Sequence, residues 1–84
     1  ALHPPYPNPF NPVVNLVVDI PQQAQTRISI FNMRGQEIIV LENHELSPGR
    51  YSYQWRGSGQ SSGIYFVRIQ AGQFEKSQKI SLLK

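Results

Sequence analysis

The sequence predicts an all-β fold, a sandwich of six or seven short antiparallel strands, and three observations support this prediction. Apolar residues alternate with polar ones in several segments, as in Val14, Leu16, Val18 and Ile20, which is the periodicity of a strand with one buried face. Glycine, proline, asparagine and serine residues separate these segments at short intervals. No segment has the periodicity of an amphipathic helix. Short strands with frequent turns are typical of a sandwich.

Residues 1–12 precede the first strand and contain five of the seven prolines. Proline fixes φ and lacks an N–H group, so this segment, hereafter the arm, is predicted to be extended. A free linker has no need of two large rings, and we therefore expect Tyr6 and Phe10 to insert against the domain. Asn8 and Asn11 are expected to bond to backbone groups that the prolines leave open. Residues 13–84 are predicted to form the sandwich itself.

Three strands are predicted in the first half of the sandwich. Val13–Ile20 alternates strictly and ends at Pro21. Thr26–Asn32 follows, and Gly35 suits the left-handed position of a short hairpin turn. The chain is expected to return as Glu37–Glu42, which is almost continuously apolar.

The second half is predicted to contain two clear strands and a closing segment. Tyr51–Arg56 places aromatic residues on one face, and Gly57–Gly63 is a flexible loop. Ile64–Ala71 has apolar residues on both faces, so we expect it in the middle of a sheet. The closing segment, Gln73–Leu83, is expected to pair with it and to break near Ser77.

The aromatic row Tyr51, Tyr53 and Trp55 has two interpretations. Exposed, it would form a platform on which sugar rings stack. Buried, it would be core, since each ring removes ~150–250 Å² from water. We favour the core, because a domain of 84 residues has few other large side chains to bury. The predicted core residues are Leu16, Val18, Ile28, Ile30, Tyr51, Tyr53, Trp55, Tyr65, Val67 and Ile69.

Composition excludes several classes of protein. The chain has no cysteine, so it has neither disulfides nor thiolate metal ligands. Its net charge is +3, but the basic residues are scattered rather than clustered, and no nucleic-acid partner is expected. No run approaches the ~18 apolar residues of a membrane span, so no stable membrane insertion is expected. We expect a monomer.

The residues capable of catalysis are few and dispersed. The five acidic residues lie beside turns or on polar strand faces, with no pair placed for acid–base chemistry. His3 and His44 are isolated, whereas a metal site requires three or four ligands. We therefore predict no catalytic, cofactor-binding or metal-binding residues, and a protein that is not an enzyme.

Several short motifs occur in an order that identifies a family. They are Tyr6–Pro12 (YPNPFNP), Ile20-Pro21, Ile30–Gln36 (IFNMRGQ), Gly49–Tyr51 (GRY), Trp55–Gly57 (WRG), Ser62–Phe66 (SGIYF), Ala71-Gly72 and Lys79–Lys84 (KISLLK). Together they resemble the type A C-terminal sorting domain of the type IX secretion system over nearly the whole chain. The pattern is also similar to immunoglobulin-like domains of flagellar hook-capping proteins. Two positions depart from the family pattern: Arg34, where Leu is common, and Arg56, where Asp is common.

The resemblance implies an immunoglobulin- or fibronectin III-like sandwich that follows a large cargo domain in a secreted bacterial protein. It also implies recognition in the periplasm by a translocon, removal by a sortase-like peptidase, and a final location at the cell surface or in the medium. The candidate recognition residues are Tyr6, Asn8, Phe10, Asn11, Lys79 and Lys84. The alternative function is a structural or carbohydrate-binding accessory module in a secreted multidomain protein.

Overall fold

The computed structural model describes residues 1–84 and contains six β-strands. They are β1 (Val13–Ile20), β2 (Ala24–Asn32), β3 (Glu37–Leu46), β4 (Gly49–Arg56), β5 (Gly63–Ala71) and β6 (Phe74–Leu82). The structure contains no helix of the length and hydropathy needed to cross a membrane.

The strands form two sheets, and every strand pair is antiparallel. The smaller sheet pairs β1 with β4, and the larger has the order β3-β2-β5-β6. The predicted all-β fold is confirmed, and the arrangement is consistent with an immunoglobulin-like sandwich. β5 lies between β2 and β6, in the internal position expected of a strand with apolar residues on both faces.

The core lies between the two sheets and is built from alternate residues of each strand. Trp55 of β4 is 5% exposed and its ring meets the ring of Tyr65 edge-on, with centroids 5.4 Å apart. Tyr51 and Tyr53 are partly buried against the same cluster. The other predicted core residues are also buried, and so is Ile80 of β6. These residues are Leu16, Val18, Ile28, Ile30, Tyr65, Val67, Ile69 and Ile80.

The aromatic row therefore faces the core rather than solvent. The hydroxyl of Tyr53 donates to Glu42 Oε1 at 2.7 Å, and that of Tyr51 donates to the Ser47 carbonyl at 2.7 Å. Both tyrosine hydroxyl groups therefore form hydrogen bonds at the edge of the core. A partly buried tyrosine usually has such a partner. The three rings do not form an exposed platform for sugar stacking.

Two strand predictions differ from the structure. β3 continues to Leu46 rather than ending at Glu42, because β2 begins earlier and Ala24 pairs with Leu46. The predicted break near Ser77 is wrong, since β6 is continuous and Ser77 pairs with Arg68 of β5. Ser77 is exposed, and a polar residue on the solvent side of a strand does not interrupt its backbone pairing.

Candidate functional site

The first part of the arm lies along the outer edge of β1. The His3 amide donates to the Val17 carbonyl at 3.0 Å, and the Tyr6 amide donates to the Asn15 carbonyl at 3.1 Å. The Asn15 amide returns a bond to the Tyr6 carbonyl at 2.8 Å. The arm thus adds a short third strand to the smaller sheet and covers an edge that would otherwise be open.

The second part of the arm crosses to the larger sheet and pairs with β6. The Phe10 amide donates to the Ser81 carbonyl at 2.8 Å, and the Leu83 amide donates to the Phe10 carbonyl at 2.9 Å. The Asn8 side chain extends this pairing: its Nδ2 donates to the Lys79 carbonyl at 3.0 Å, and its Oδ1 accepts the Ser81 amide at 3.0 Å. Residues 1–10 therefore tie the two sheets together along one side of the sandwich.

Phe10 anchors this crossing in a socket formed by Trp55, Gly57 and Leu82. The ring is 1% exposed and lies 5.7 Å from Trp55, centroid to centroid, at an interplanar angle of 54°. A Cβ atom at Gly57 would lie 3.1 Å from Leu82 Cδ2 and 3.4 Å from Phe10 Cε2. The absence of a side chain at Gly57 therefore leaves room for the ring. The Gly57 amide also donates to the Pro12 carbonyl at 2.8 Å, which fixes the end of the arm.

The structure distinguishes the four arm residues proposed from sequence. Phe10 is buried, but the predicted insertion of Tyr6 is wrong, because Tyr6 is 56% exposed. Asn8 bonds to backbone groups, whereas Asn11 is exposed and its side chain makes no hydrogen bond. Leu2, which sequence reasoning missed, is 3% exposed and fills the inward position instead.

The register of the arm on β1 explains why Leu2 is buried and Tyr6 is exposed. Leu2 lies opposite Val18, whose side chain is in the core, and Tyr6 lies opposite Asn15, whose side chain faces out. Had the register been uniform, Tyr6 would have faced Val14. The pairing slips by one residue across the two prolines between these positions, and a slip of one residue reverses the face of a side chain. The Tyr6 ring consequently borders an open cleft of about 420 Å³ on the outer face of β1 and β4.

A charged cluster holds the beginning of the arm. Asp19 at the end of β1 accepts from Arg50 Nε at 2.8 Å through Oδ1, and its Oδ2 lies 2.5 Å from His3 Nε2. The Arg50 guanidinium and, to a smaller extent, His3 lower the pKa of the Asp19 carboxyl to about 2. All three side chains are partly exposed, so screening by solvent keeps the stabilisation small.

The two candidate lysines lie near the place where the arm pairs with β6. Lys79 is exposed, while the neighbouring Ile80 is completely buried. Lys84 is also exposed, and its Nζ donates to the Ser58 carbonyl at 2.7 Å. The Lys84 amide donates to Ser62 Oγ at 3.0 Å, which ties the end of the chain to the loop between β4 and β5. Lys79 is joined to Asn8 through its backbone carbonyl, so residues from opposite ends of the sequence form one surface.

Three of the four remaining acidic residues, Glu37, Glu42 and Glu75, bond to neighbouring polar or basic side chains. Glu37 pairs with Arg27 at 2.7 Å and Glu75 with Arg68 at 2.8 Å, and each pairing lowers the pKa of its carboxyl group. The Tyr53 hydroxyl lowers the pKa of Glu42, while burial raises that of Tyr53. No group of three or more His, Cys, Asp or Glu residues is gathered into a metal-binding arrangement.

Comparison with protein families gives the site its context. The family model described as the secretion system C-terminal sorting domain matches residues 5–82. The chain belongs to this family. The sorting domain is the C-terminal sorting signal for type IX secretion, and its family is not a class of enzymes. The match begins within the arm and ends at the last residue of β6, so it includes Asn8, Phe10 and the part of β6 with which they pair. No curated protein matches the chain.

Proposed function

We propose that the secretion machinery recognises the sorting domain on the surface where the arm meets the end of β6, through Lys79, Lys84 and the exposed arm residue Asn11. The exposed Tyr6, on the preceding part of the arm beside β1, would extend this surface. In this proposal Asn8 and Phe10 hold the arm in place, because their side chains are engaged with β6 and the Phe10 socket. The observation that carries the proposal is the contact between Asn8 and Lys79, which joins the two ends of the family match at one place.

We infer the partners from membership of the family. The sorting domain would be carried by a larger cargo domain, recognised in the periplasm by the translocon and processed by a sortase-like peptidase. The cargo would then reach the cell surface or the medium. A signal shared by different cargoes has to fold by itself, and a sandwich with its own core of 14 buried apolar residues is suited to that requirement.

The proposed recognition surface carries two positive charges, those of Lys79 and Lys84. Lys79 and Lys84 are both exposed and neither pairs with an acidic residue. Unpaired basic groups beside an extended backbone suit a protein partner with a complementary acidic surface, which would accelerate and orient binding.

An export assay tests the proposal. Residues 1–84 are fused to the C-terminus of a periplasmic reporter, and export is measured in a host with and without the type IX translocon. The variant Lys79→Ala/Lys84→Ala should abolish or strongly reduce export while the domain stays folded, since exposed charge changes usually alter stability by less than ~0.5 kcal/mol.

The matched control is Arg34→Ala/Arg56→Ala, which removes the same charge from two exposed residues that form no ion pair. This control should be exported normally, and circular dichroism should give the same melting temperature for both variants. Normal export of the lysine variant would contradict recognition of the basic end. Export that is independent of the translocon would contradict the sorting function itself.

A further inference from the structure

The backbone of residues 79–83, at the free edge of β6, can pair with an extended segment. In this structure the arm occupies that edge. Four hydrogen bonds satisfy this edge: two from the Asn8 side chain and two from the Phe10 backbone. The Phe10 ring fills the adjacent socket of Trp55, Gly57 and Leu82. Backbone pairing combined with one side-chain pocket is the usual chemistry by which a sheet edge binds an extended peptide.

We propose that this edge and the Phe10 socket form a binding site for an extended segment of a partner protein, and that this segment replaces residues 8–10. The segment would carry an amide side chain followed two residues later by an aromatic ring, the pattern of Asn8 and Phe10. The inference rests on the proposed function and deepens it, because it gives the chemistry of the partner segment that engages the sorting domain.

The arm itself defines what the site accepts. An amide side chain at the first position both donates to the Lys79 carbonyl and accepts from the Ser81 amide, so it takes the place of a backbone peptide group. Aspartate could only accept, and would leave the Lys79 carbonyl unpaired. At the third position the Phe10 ring packs against the Trp55 ring at 5.7 Å and lies beside Gly57. A branched aliphatic side chain would lose the contact between the two rings.

Few hydrogen bonds hold residues 7–12 of the arm on β6, so another segment could replace them. Pro7, Pro9 and Pro12 have no amide hydrogen to donate, so between residues 7 and 12 the arm is bound to β6 only through Asn8 and Phe10. An incoming segment of the same pattern would restore every bond that the arm gives up. The arm has the advantage of being tethered, which corresponds to an effective concentration in the millimolar range. A partner must therefore either bind strongly or engage a domain whose arm has been loosened.

The proposal predicts that loosening the arm opens the site to a peptide added in trans. The probe is a synthetic peptide of residues 5–12, and the readout is the fluorescence of Trp55, the single tryptophan of the chain. In the 84-residue variant Asn8→Ala/Phe10→Ala, the peptide should restore the wild-type emission spectrum, because its aromatic ring would again lie against the indole. It should bind this variant at least ~10-fold more tightly than the wild-type chain, whose own arm competes.

A substituted peptide and a single variant of the chain serve as controls. A peptide carrying alanine in place of Asn8 and Phe10 should not bind. If the double variant does not fold, the single variant Asn8→Ala retains the Phe10 ring, and a fluorescently labelled peptide should bind it at least ~10-fold more tightly than wild type by anisotropy. Failure of the unmodified peptide to bind either folded variant at millimolar concentration would overturn the proposal.

Two other outcomes are also decisive. If the wild-type chain forms a concentration-dependent dimer that the free peptide dissociates, the occupant of the edge is the arm of a second copy, and the assignment to a partner protein is overturned. Binding of the peptide to purified protein is independent of export. Loss of peptide binding with normal translocon-dependent export would overturn this inference and leave the proposed function standing. Export without the translocon would overturn the proposed function even if the peptide binds, and with it the assignment of the partner segment to the secretion machinery.

Discussion

Replacing Phe10 by alanine should remove most of the apolar contact between the arm and the sandwich. The ring is 1% exposed and packs against Trp55 at 5.7 Å. Truncating a buried phenylalanine costs about 3–5 kcal/mol, and we expect the lower end because a socket at the sheet edge can admit water. A domain of 84 residues has a total stability of about 4–13 kcal/mol. The variant should therefore lose at least about a fifth of its stability.

The measurement is guanidinium-induced unfolding followed by Trp55 fluorescence, with thermal melting as a second method. At about 4–8 °C per kcal/mol, the melting temperature should fall by more than about 10 °C. Tyr6→Ala is the matched control, because Tyr6 belongs to the same arm but is 56% exposed, and it should cost less than about 1 kcal/mol. Equal effects of the two substitutions would refute the assignment of Phe10 as the anchor, and so would a loss below 1 kcal/mol for Phe10→Ala.

Two further predictions concern the socket and the charged cluster. Gly57→Ala should cost about 1–3 kcal/mol, because the new Cβ lies 3.1 Å from Leu82 Cδ2; Gly59→Ala, whose Cβ meets nothing within 4 Å, should melt like wild type, and equal losses would contradict the close packing. Asp19 has a pKa of about 2, below its ordinary value of 3.8, so its stabilisation is complete above about pH 4 and is lost as the pH falls through 2. Wild type should melt above Asp19→Asn at pH 6 and converge with it near pH 2, and a gap that persists at pH 2 would argue against the ion pair.

Much of the fold could be predicted because it depends on local patterns. The alternation in β1 gives the same limits in sequence and structure, Val13–Ile20. Gly35 has the positive φ of 80° that its hairpin position demands. The apolar residues on both faces of β5 predicted its place inside the larger sheet. In each case the neighbouring residues in the sequence already specify the backbone conformation or the number of covered faces.

The limits of β3 and β6 depended on partners distant in sequence. β3 continues through polar residues to Leu46 because β2 supplies backbone partners as far as Ala24. β6 passes Ser77 without a break because Arg68 of β5 lies opposite it. The residues of β3 and β6 themselves do not reveal these partners. A polar stretch that would not form a strand alone can continue one when a neighbouring strand pairs with its backbone.

The candidate site, like the fold, could be predicted from the sequence only in part. The sequence indicated that the arm carries large apolar and amide side chains and that the closing strand carries lysines. It did not indicate that the two segments meet, which depends on Asn8 bonding to Lys79 across the whole length of the chain. Asn8 and Asn11 are the same residue type in similar proline contexts, yet only Asn8 lies opposite an open strand edge.

By itself, the amino-acid sequence determined the all-β class, the alternation that builds the core, and the extended character of the proline-rich arm. The tertiary structure decided which arm residue enters the core, because the pairing with β1 slips by one residue between Leu2 and Tyr6 and thereby reverses the face on which Tyr6 lies. It also decided that the edge of β6 is covered, since the Phe10 socket forms only when Trp55, Gly57 and Leu82 come together from separate strands and a loop. Side-chain type is a property of the sequence, but the face of a strand and the neighbours of a pocket are set by long-range register and packing.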